Sequence, residues 1–393
     1  MTGQAADTDT REYSFAWRDS MLEVDSSSWN SLAMQLPTPF LEWDWLRLLE
    51  VSGSAAPSTG WQPKHLTVHK SGRLVAAAPL FIKTHSEGEF VFDHFWAQLA
   101  ARMNQAYYPK LVGMSPFTPI GAYRFLLDPE LEQGALISRL QQEIDRFCLS
   151  MGLSGCHYQF LDPAWEHRLQ DWGFKTWMHP GFVWENRGFE SFDDFLACFR
   201  SSRRKSIKKE RKHLYSQGVR VQAYAGEDIQ ERHLYSMYRF YLMTNQRYAP
   251  WSCKYLSQEF FLGLCHPDVR RSLLLLAAFE EGVQQPLGMS MLVFKGDQLF
   301  GRYWGGVDGV PFLHFNLCYY EPIEWAIQNG IQSFDPGMGG EHKLYRGFKL
   351  EPNYSLHKIY SHGLQHVLGM YLQELNAMEK RRMLELNQEL PLK

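Results

Sequence analysis

The chain has 393 residues, enough for two or three domains of roughly 100–200 residues each. Apolar residues make up 45% and charged residues 21%, the ordinary balance of a soluble globular protein. The formal net charge of −3 argues against a general nucleic-acid binder, because such proteins usually carry a basic excess. A DNA partner is therefore not expected, and electrostatic binding must be local.

The cysteines and the N-terminal sequence predict the compartment. The N-terminus is polar and acidic, unlike a signal peptide, and no apolar run approaches the roughly 18 residues of a membrane span. The cysteines form no CxxC pair, so neither a zinc site nor a disulfide framework is expected. They are Cys148, Cys156, Cys198, Cys253, Cys265 and Cys318. The sequence predicts a cytoplasmic protein with reduced thiols and no metal.

The predicted elements occur in a similar order in both halves of the chain. The first half predicts a helix in 36–53, three strands in 64–96 (the third from Glu89), a helix in 128–152, a strand in 156–161, and a helix ending at 173. The second half predicts three strands in 271–306, a helix in 311–330 and a strand in 331–337. The tripeptide Gly-Phe-Lys occurs at 173–175 and again at 347–349. Two copies of one α/β unit would explain this order, and coincidence of common elements is the alternative.

A long C-terminal helix completes the prediction. Its apolar stripe is expected to pack on the second unit and consists of Leu364, Leu368, Tyr371, Leu375 and Met378. The element order predicts an α/β (α+β) fold of two tandem GNAT-like, or acyl-CoA N-acyltransferase-like, domains plus this helix. The predicted bounds are 1–38 for an N-terminal tail and first strand, 39–190 and 191–361 for the two domains, and 362–393 for the helix.

The sequence resembles the FemAB-like branch of the GNAT superfamily, which is described as peptidoglycan biosynthesis or recognition proteins. The likeness runs from about Pro39 to Tyr360 and includes the segments GWQPKHL, SSRRKSIKKERK, FLHFNLCYYEPIEWAI and GEHKLYRGF. It implies transfer of an acyl or aminoacyl group to an amine. In the Fem relatives, the donor is an aminoacyl-tRNA and the acceptor is a peptidoglycan precursor.

The donor stays open between an acyl-CoA and an aminoacyl-tRNA. A pattern of the Fem relatives appears here as Gly330, Phe334-Asp335, Gly337 and Gly347-Phe348-Lys349. The Q/R-x-x-G-x-G/A run of ordinary acetyl-CoA enzymes is not visible, which argues against acetyl-CoA. No cofactor is otherwise indicated.

A basic stretch, predicted as a helix over 200–217, carries eight Lys or Arg and one acid between Arg200 and Lys212. Ile207 and Leu214 are seven residues apart and share one helical face. Cations on the other faces could bind a pyrophosphate-linked precursor, a tRNA backbone or an anionic membrane surface. The candidate phosphate ligands are Arg203, Arg204, Lys208 and Arg211. The alternative is a solvated surface helix.

The segment FDPGMGGEHKLYRGF is the candidate active site. Asp335 ends a strand, and Gly339 and Gly340 let the backbone approach a ligand. Glu341 or His342 could take the proton that an attacking amine loses. Lys343 or Arg346 could stabilise an oxyanion or hold a donor phosphate. The alternative is a turn with solvated charges.

Two further groups of residues are candidates for a catalytic or metal-binding role. His314 begins the helix after a glycine-rich break, and Tyr320 in that helix could protonate a leaving group; a capping or core role is the alternative. In the first half, a cluster of acids and histidines would make a metal site only if strand alternation did not point neighbours to opposite faces. Its members are His85, Glu87, Glu89, Asp93 and His94.

The sequence therefore predicts an N-acyltransferase acting on an amine acceptor that is a small molecule or lipid-linked, with tRNA as a candidate partner. The acceptor would resemble a peptidoglycan precursor or another phosphate-bearing substrate. The second unit would hold the catalytic loop and the first unit an acceptor groove. The rival interpretation is a non-catalytic protein that recognises a cell-wall precursor or RNA through the basic helix.

Overall fold

The computed structural model describes residues 13–165, 167–248 and 254–393. The predicted tail up to residue 12 and Cys253 lie outside the described residues. The five described cysteines are free thiols. In the described part of the chain, no helix is both long and apolar enough to cross a membrane.

The chain folds into two compact units. The first unit is Met1–Trp177 with Tyr354–Asn376, and the second is Met178–Asn353 with Ala377–Lys393. The domain bounds predicted from the sequence stay a prediction.

The first unit contains two sheets. Its helices are α1 (Ser26–Ala33), α2 (Trp43–Val51), α3 (His94–Arg102) and α4 (Gln133–Ser150). Its strands are β1 (Tyr13–Arg18), β2 (Trp61–Pro63), β3 (His65–Lys70), β4 (Arg73–Ala78), β5 (Leu80–Lys83), β6 (Lys110–Gly113), β7 (Leu126–Leu127) and β8 (Gly155–Tyr158). One sheet has the order β1-β3-β4-β7, and the other includes β8-β6-β5-β2. Strands β6 and β8 are parallel, and α4 connects them.

The second unit is built on one sheet. The elements from β9 onward are β9 (Lys175–Glu185), α5 (Phe192–Ala197), α6 (Ser201–Ser216), β10 (Val219–Ala225), α7 (Glu231–Arg247), α8 (Gln258–Gly263), α9 (Pro267–Arg270), β11 (Leu273–Glu280), β12 (Pro286–Lys295), β13 (Gln298–Gly306), α10 (Leu313–Phe315), α11 (Glu321–Gln328), β14 (Ser333–Asp335), β15 (Lys349–Ile359) and α12 (His362–Gln388). A π-helical stretch, Asn316–Tyr320, joins α10 to α11. The order β10-β11-β12-β13-β14-β9 is antiparallel except for the parallel pair β13 and β14.

The predicted fold class is confirmed. Each unit has antiparallel strands followed by a parallel pair whose two members are joined by a helical connection. This is the strand, helix, strand order that the glycine-bounded runs of the sequence predict.

Two predicted elements of the first unit are wrong. The strand expected from Glu89 is a loop followed by α3, because Glu89 and Asp93 both turn inward to bind the buried Lys110 amine. In a β-strand, Glu89, Val91 and Asp93 would point to one face, and the residues between them would point to the other face. The helix expected to end at Gly173 consists of two short 3-10 turns, Pro163–Trp165 and Gln170–Trp172.

The C-terminal helix α12 also differs from its prediction. Leu364, Leu368 and Leu372 are buried in the first unit together with Trp96. In contrast, Tyr371, Leu375 and Met378 are exposed. The buried residues are four apart rather than alternately three and four apart. The expectation that α12 packs on the second unit is confirmed for its later part, where Met383 is buried in the core of that unit, but its residues as far as Asn376 belong to the first unit.

Candidate functional site

A cleft of about 500 Å³ opens in the second unit where β13 and β14 part. Strand β13 pairs with β14 only over Gln298–Phe300, but it continues to Gly306. At Gly301 a Cβ atom would lie 3.1 Å from the Pro336 backbone, so a larger residue would crowd the point where the two strands separate. The cleft is lined by β12, β13, the helix that begins at Leu313 and the loop after β14.

The loop after β14 depends on glycine. Gly337, Gly339 and Gly340 have φ angles of 86°, 74° and 83°, a region that side chains disfavour. A 3-10 turn, Glu341–Arg346, follows immediately and ends at Gly347. The glycines thus reverse the chain after Asp335 and bring the next side chains back to the cleft.

Asp335 closes the end of β14. Its Oδ1 accepts a hydrogen bond of 2.7 Å from the Gly337 amide. Burial raises the pKa of Asp335 to about 6, against the Gly337 hydrogen bond and the charge of Lys343, which lower it. The Asp335 carboxyl group is therefore ionised at neutral pH, but burial makes this charged form less stable than that of an exposed aspartate.

Lys343 lies beside Asp335 and lines the cleft. Its Nζ donates hydrogen bonds to the carbonyl oxygens of Gly337, at 2.6 Å, and Met338, at 3.0 Å. Burial lowers the pKa of Lys343 to about 8, although the Asp335 carboxylate raises it. An ammonium group has three donors, and these bonds use two of them within the part of the chain that the structure describes.

Two histidines of the cleft are uncharged at neutral pH. Burial lowers the pKa of His314 to about 3, with the nearby His342 and Arg346 contributing in the same direction. Burial also lowers the pKa of His342, with Arg346 and Lys343 acting in the same direction. The His342 Nε2 and the Tyr319 hydroxyl are 2.9 Å apart, which fixes the His342 ring. The centre of the His314 ring is 4.3 Å from that of Trp304.

The structure brings together only part of the predicted site. His314, Gly339, Gly340, His342 and Lys343 all line the cleft.

Four other candidates, Asp335, Tyr320, Glu341 and Arg346, lie outside this lining. Glu341 is exposed and pairs with Arg382. The Tyr320 hydroxyl donates a hydrogen bond to Glu210. Arg346 is buried, and its guanidinium donates to the His342 carbonyl oxygen at 2.8 Å. Their catalytic or binding roles remain predictions, and their positions favour His342 over Glu341 as the base.

The basic stretch forms the helix α6, and its predicted buried face is confirmed, since Ile207 and Leu214 are fully buried. Two of its arginines have partners inside the second unit. Arg211 pairs with Glu321 at 2.8 Å and with Glu324, and Arg203 donates to the Tyr345 carbonyl oxygen at 2.6 Å.

The other cations of α6 face outward. Lys208 pairs with the exposed Asp193 at 2.8 Å. Arg204, Lys205, Lys209 and Lys212 have no ion pair with any residue that the structure describes. Phosphate contact by Arg203 and Arg211 would require breaking their internal bonds, so the lysines and Arg204 are the better candidates.

Sequence reasoning missed Glu210, and it named Tyr320 rather than Tyr319 as the candidate tyrosine. Glu210 binds Arg346, Tyr320 and Arg203, and Tyr319 orients His342. Glu210 had a signal in the sequence, as the single acid within the basic stretch.

A buried charged cluster occupies the first unit. The Lys110 Nζ binds Glu89 at 2.8 Å and Asp93 at 2.7 Å, and all three side chains are essentially unexposed. Lys83 is buried nearby, and burial lowers its pKa to about 7. Two of the five residues weighed as metal ligands thus hold a lysine instead.

Two compact units, each with a parallel pair of strands, define the class of this protein, a two-unit α/β protein. The chain belongs to the FemAB-like family, described as peptidoglycan biosynthesis/recognition, whose model matches residues 20–393. The family that the sequence resembles is therefore confirmed. No curated protein matches the sequence.

Several solved structures share the fold. FemX is 10% identical, with 88% of this chain and 98% of that chain covered and a TM-score of 0.54. The C-terminal DUF2156 domain of a putative lysylphosphatidylglycerol synthetase from Agrobacterium fabrum is 11% identical, with 90% and 97% covered and a TM-score of 0.52. L-PGS from Bacillus licheniformis is 9% identical, with 83% and 94% covered and a TM-score of 0.50.

Proposed function

We propose that the protein is an N-acyltransferase, which transfers an acyl or aminoacyl group to an amine acceptor in the cleft of the second unit. The observation that carries this proposal is that Lys343, a buried amine with two of its three donors used among the described residues, lines the same cleft as the uncharged imidazole of His342. Acyl transfer to an amine needs both groups, a donor for the oxyanion and an acceptor for the proton.

The proposed step uses each group once. The acceptor nitrogen attacks the donor carbonyl, a C–N bond forms, and the C–O or C–S bond to the leaving group breaks. His342 takes the proton that the amine loses, with its ring held by Tyr319. The third N–H of Lys343 donates to the oxygen on which negative charge develops.

The substrates are proposed from the family and the charges. The family description supports an acceptor related to peptidoglycan precursors, small or lipid-linked, and the donor is an aminoacyl-tRNA or an acyl-CoA. The outward cations of α6 would contact substrate phosphates or an anionic membrane surface. These same cations favour a second candidate function, non-catalytic recognition of a cell-wall precursor or RNA.

The test begins with a strain that lacks the protein. Metabolites that accumulate or disappear identify the acceptor, and the purified chain is then assayed for transfer. Lys343→Met is expected to lower kcat by roughly 10²–10³-fold, the usual loss for one oxyanion donor. Lys380→Met changes an exposed lysine in the same way and is the matched control. Full activity in both Lys343→Met and His342→Gln would refute the proposal, and binding without turnover would support the non-catalytic function.

A further inference from the structure

We propose that Glu210 is a positioning residue, which holds the turn Glu341–Arg346 so that His342 faces the cleft. The inference rests on the proposed function of that cleft. It also gives a reason for the one acid in the basic stretch, which reaches from α6 to a turn more than a hundred residues later in the chain.

Glu210 binds three groups at once. Its Oε2 accepts from the Arg346 guanidinium at 3.1 Å and from the Tyr320 hydroxyl. Its Oε1 lies 3.4 Å from the Arg203 guanidinium. The side chain is only 12% exposed, so these bonds compete little with water.

The two guanidinium groups that bind Glu210 also bind the backbone of the turn. Arg346 donates to the His342 carbonyl oxygen at 2.8 Å, and its guanidinium lies 3.4 Å from the centre of the Phe315 ring. Arg203 donates to the Tyr345 carbonyl oxygen at 2.6 Å. The turn is thus held at two carbonyl oxygens by arginines that share one carboxylate.

Charge balance makes Glu210 necessary for this arrangement. Arg346 is 4% exposed, and a buried guanidinium without an anion is strongly disfavoured. Without Glu210, Arg346 would seek water and pull the His342 backbone with it. The positive charge left near His342 would also favour its neutral form.

The experiment compares Glu210→Gln, which keeps the shape but removes the charge, with Glu385→Gln, the same substitution at an exposed glutamate of α12. We expect Glu210→Gln to lower kcat by about 10–100-fold with KM changed by less than about threefold, because the base is displaced rather than the substrate site. In the histidine NMR spectrum the His342 ring signals should shift and titrate at lower pH. Glu385→Gln should change none of these.

A second variant separates positioning from loss of fold. Glu210→Asp keeps the charge and is expected to restore part of the rate and move the His342 midpoint back. A folded Glu210→Gln protein with unchanged His342 signals would overturn the inference, as would equal rate losses in the Gln and Asp variants with an unmoved midpoint. The NMR result stands without turnover, so failure of the proposed function, shown by full activity in both Lys343→Met and His342→Gln, is seen separately.

Discussion

Lys343 and Asp335 are a buried pair in which burial weakens both charges. Burial lowers the lysine pKa to about 8 and raises the aspartate pKa to about 6. Each partner opposes the effect of burial on the other, so the pair stays charged near neutrality. Burial holds the pKa of His342 below its ordinary value. A neutral base and a charged oxyanion donor therefore coexist in one window of pH.

These pKa values predict the pH dependence of turnover. The rate should rise as His342 loses its proton, below its ordinary pKa of about 6.5, and fall again above about pH 8 as Lys343 loses its charge. Asp335→Asn removes the carboxylate that raises the Lys343 pKa, so the alkaline fall should move to lower pH. The measurement is kcat/KM against pH for both proteins. A fall that stays in place in Asp335→Asn would contradict the assigned role of Lys343.

The sequence predicted which residues of this loop are candidates for the chemistry but not which of them face the cleft. The glycines at 337, 339 and 340 predict a turn after a strand, and this signal is local to the loop. Whether Glu341 or His342 points inward depends on partners far along the chain, Arg382 for one and Tyr319 for the other. Such pairings are set by tertiary packing and leave no trace in the spacing of the loop.

At the scale of elements, α6 carries two kinds of cation. Its arginines at 203 and 211 serve the packing of the second unit, and its lysines at 205, 209 and 212 are exposed. The buried face could be predicted because Ile207 and Leu214 share a helical face. The internal ion pairs could not, because Glu321 and Glu324 lie about 110 residues further on.

Charge reversal should separate these two kinds of cation. Arg211→Glu would place a third acid against Glu321 and Glu324, and we expect it to lower the free energy of unfolding by roughly 2–4 kcal/mol, since the site is largely buried. Lys209→Glu on the exposed side should change it by less than about 0.5 kcal/mol. Urea unfolding of both variants measures the difference. Similar losses in the two would show that the Arg211 pairs contribute no more than an exposed charge.

At the scale of the whole molecule, a parallel pair of strands occurs in both units, and in the second unit a cleft opens beyond it. In the first unit, a Cβ atom at Gly113, the end of β6, would lie 2.2 Å from the Tyr123 hydroxyl oxygen. The Tyr123 amide donates to the Phe160 carbonyl oxygen, just past β8. Tyr123 and the segment around it thus occupy the space beyond the parallel pair of the first unit, where the second unit has its cleft.

Helix α12 should stabilise the two units separately. Its residues beyond Asn376 belong to the second unit, where Asn387 makes two hydrogen bonds to the backbone of Leu350, at 2.8 and 2.9 Å. Its earlier residues serve the first unit, where the Gln365 side chain accepts from the Ile359 amide at 2.9 Å. Truncation after Asn376 should therefore speed hydrogen exchange at Leu350 and leave Ile359 protected, because exchange follows local opening.

Mass spectrometry of deuterium uptake can follow both amides in the same sample. Asn387→Ala in the full chain is the matched control, and it should speed exchange at Leu350 less than truncation does, since Met383 stays buried in the core of the second unit. Truncation also removes the bond from the Lys393 amide to the Cys198 carbonyl oxygen, 2.8 Å, so exchange should rise around α5 as well. Loss of protection at Ile359 to the same degree as at Leu350 would mean that the helix stabilises the molecule as one cooperative unit, against the division of α12 described here.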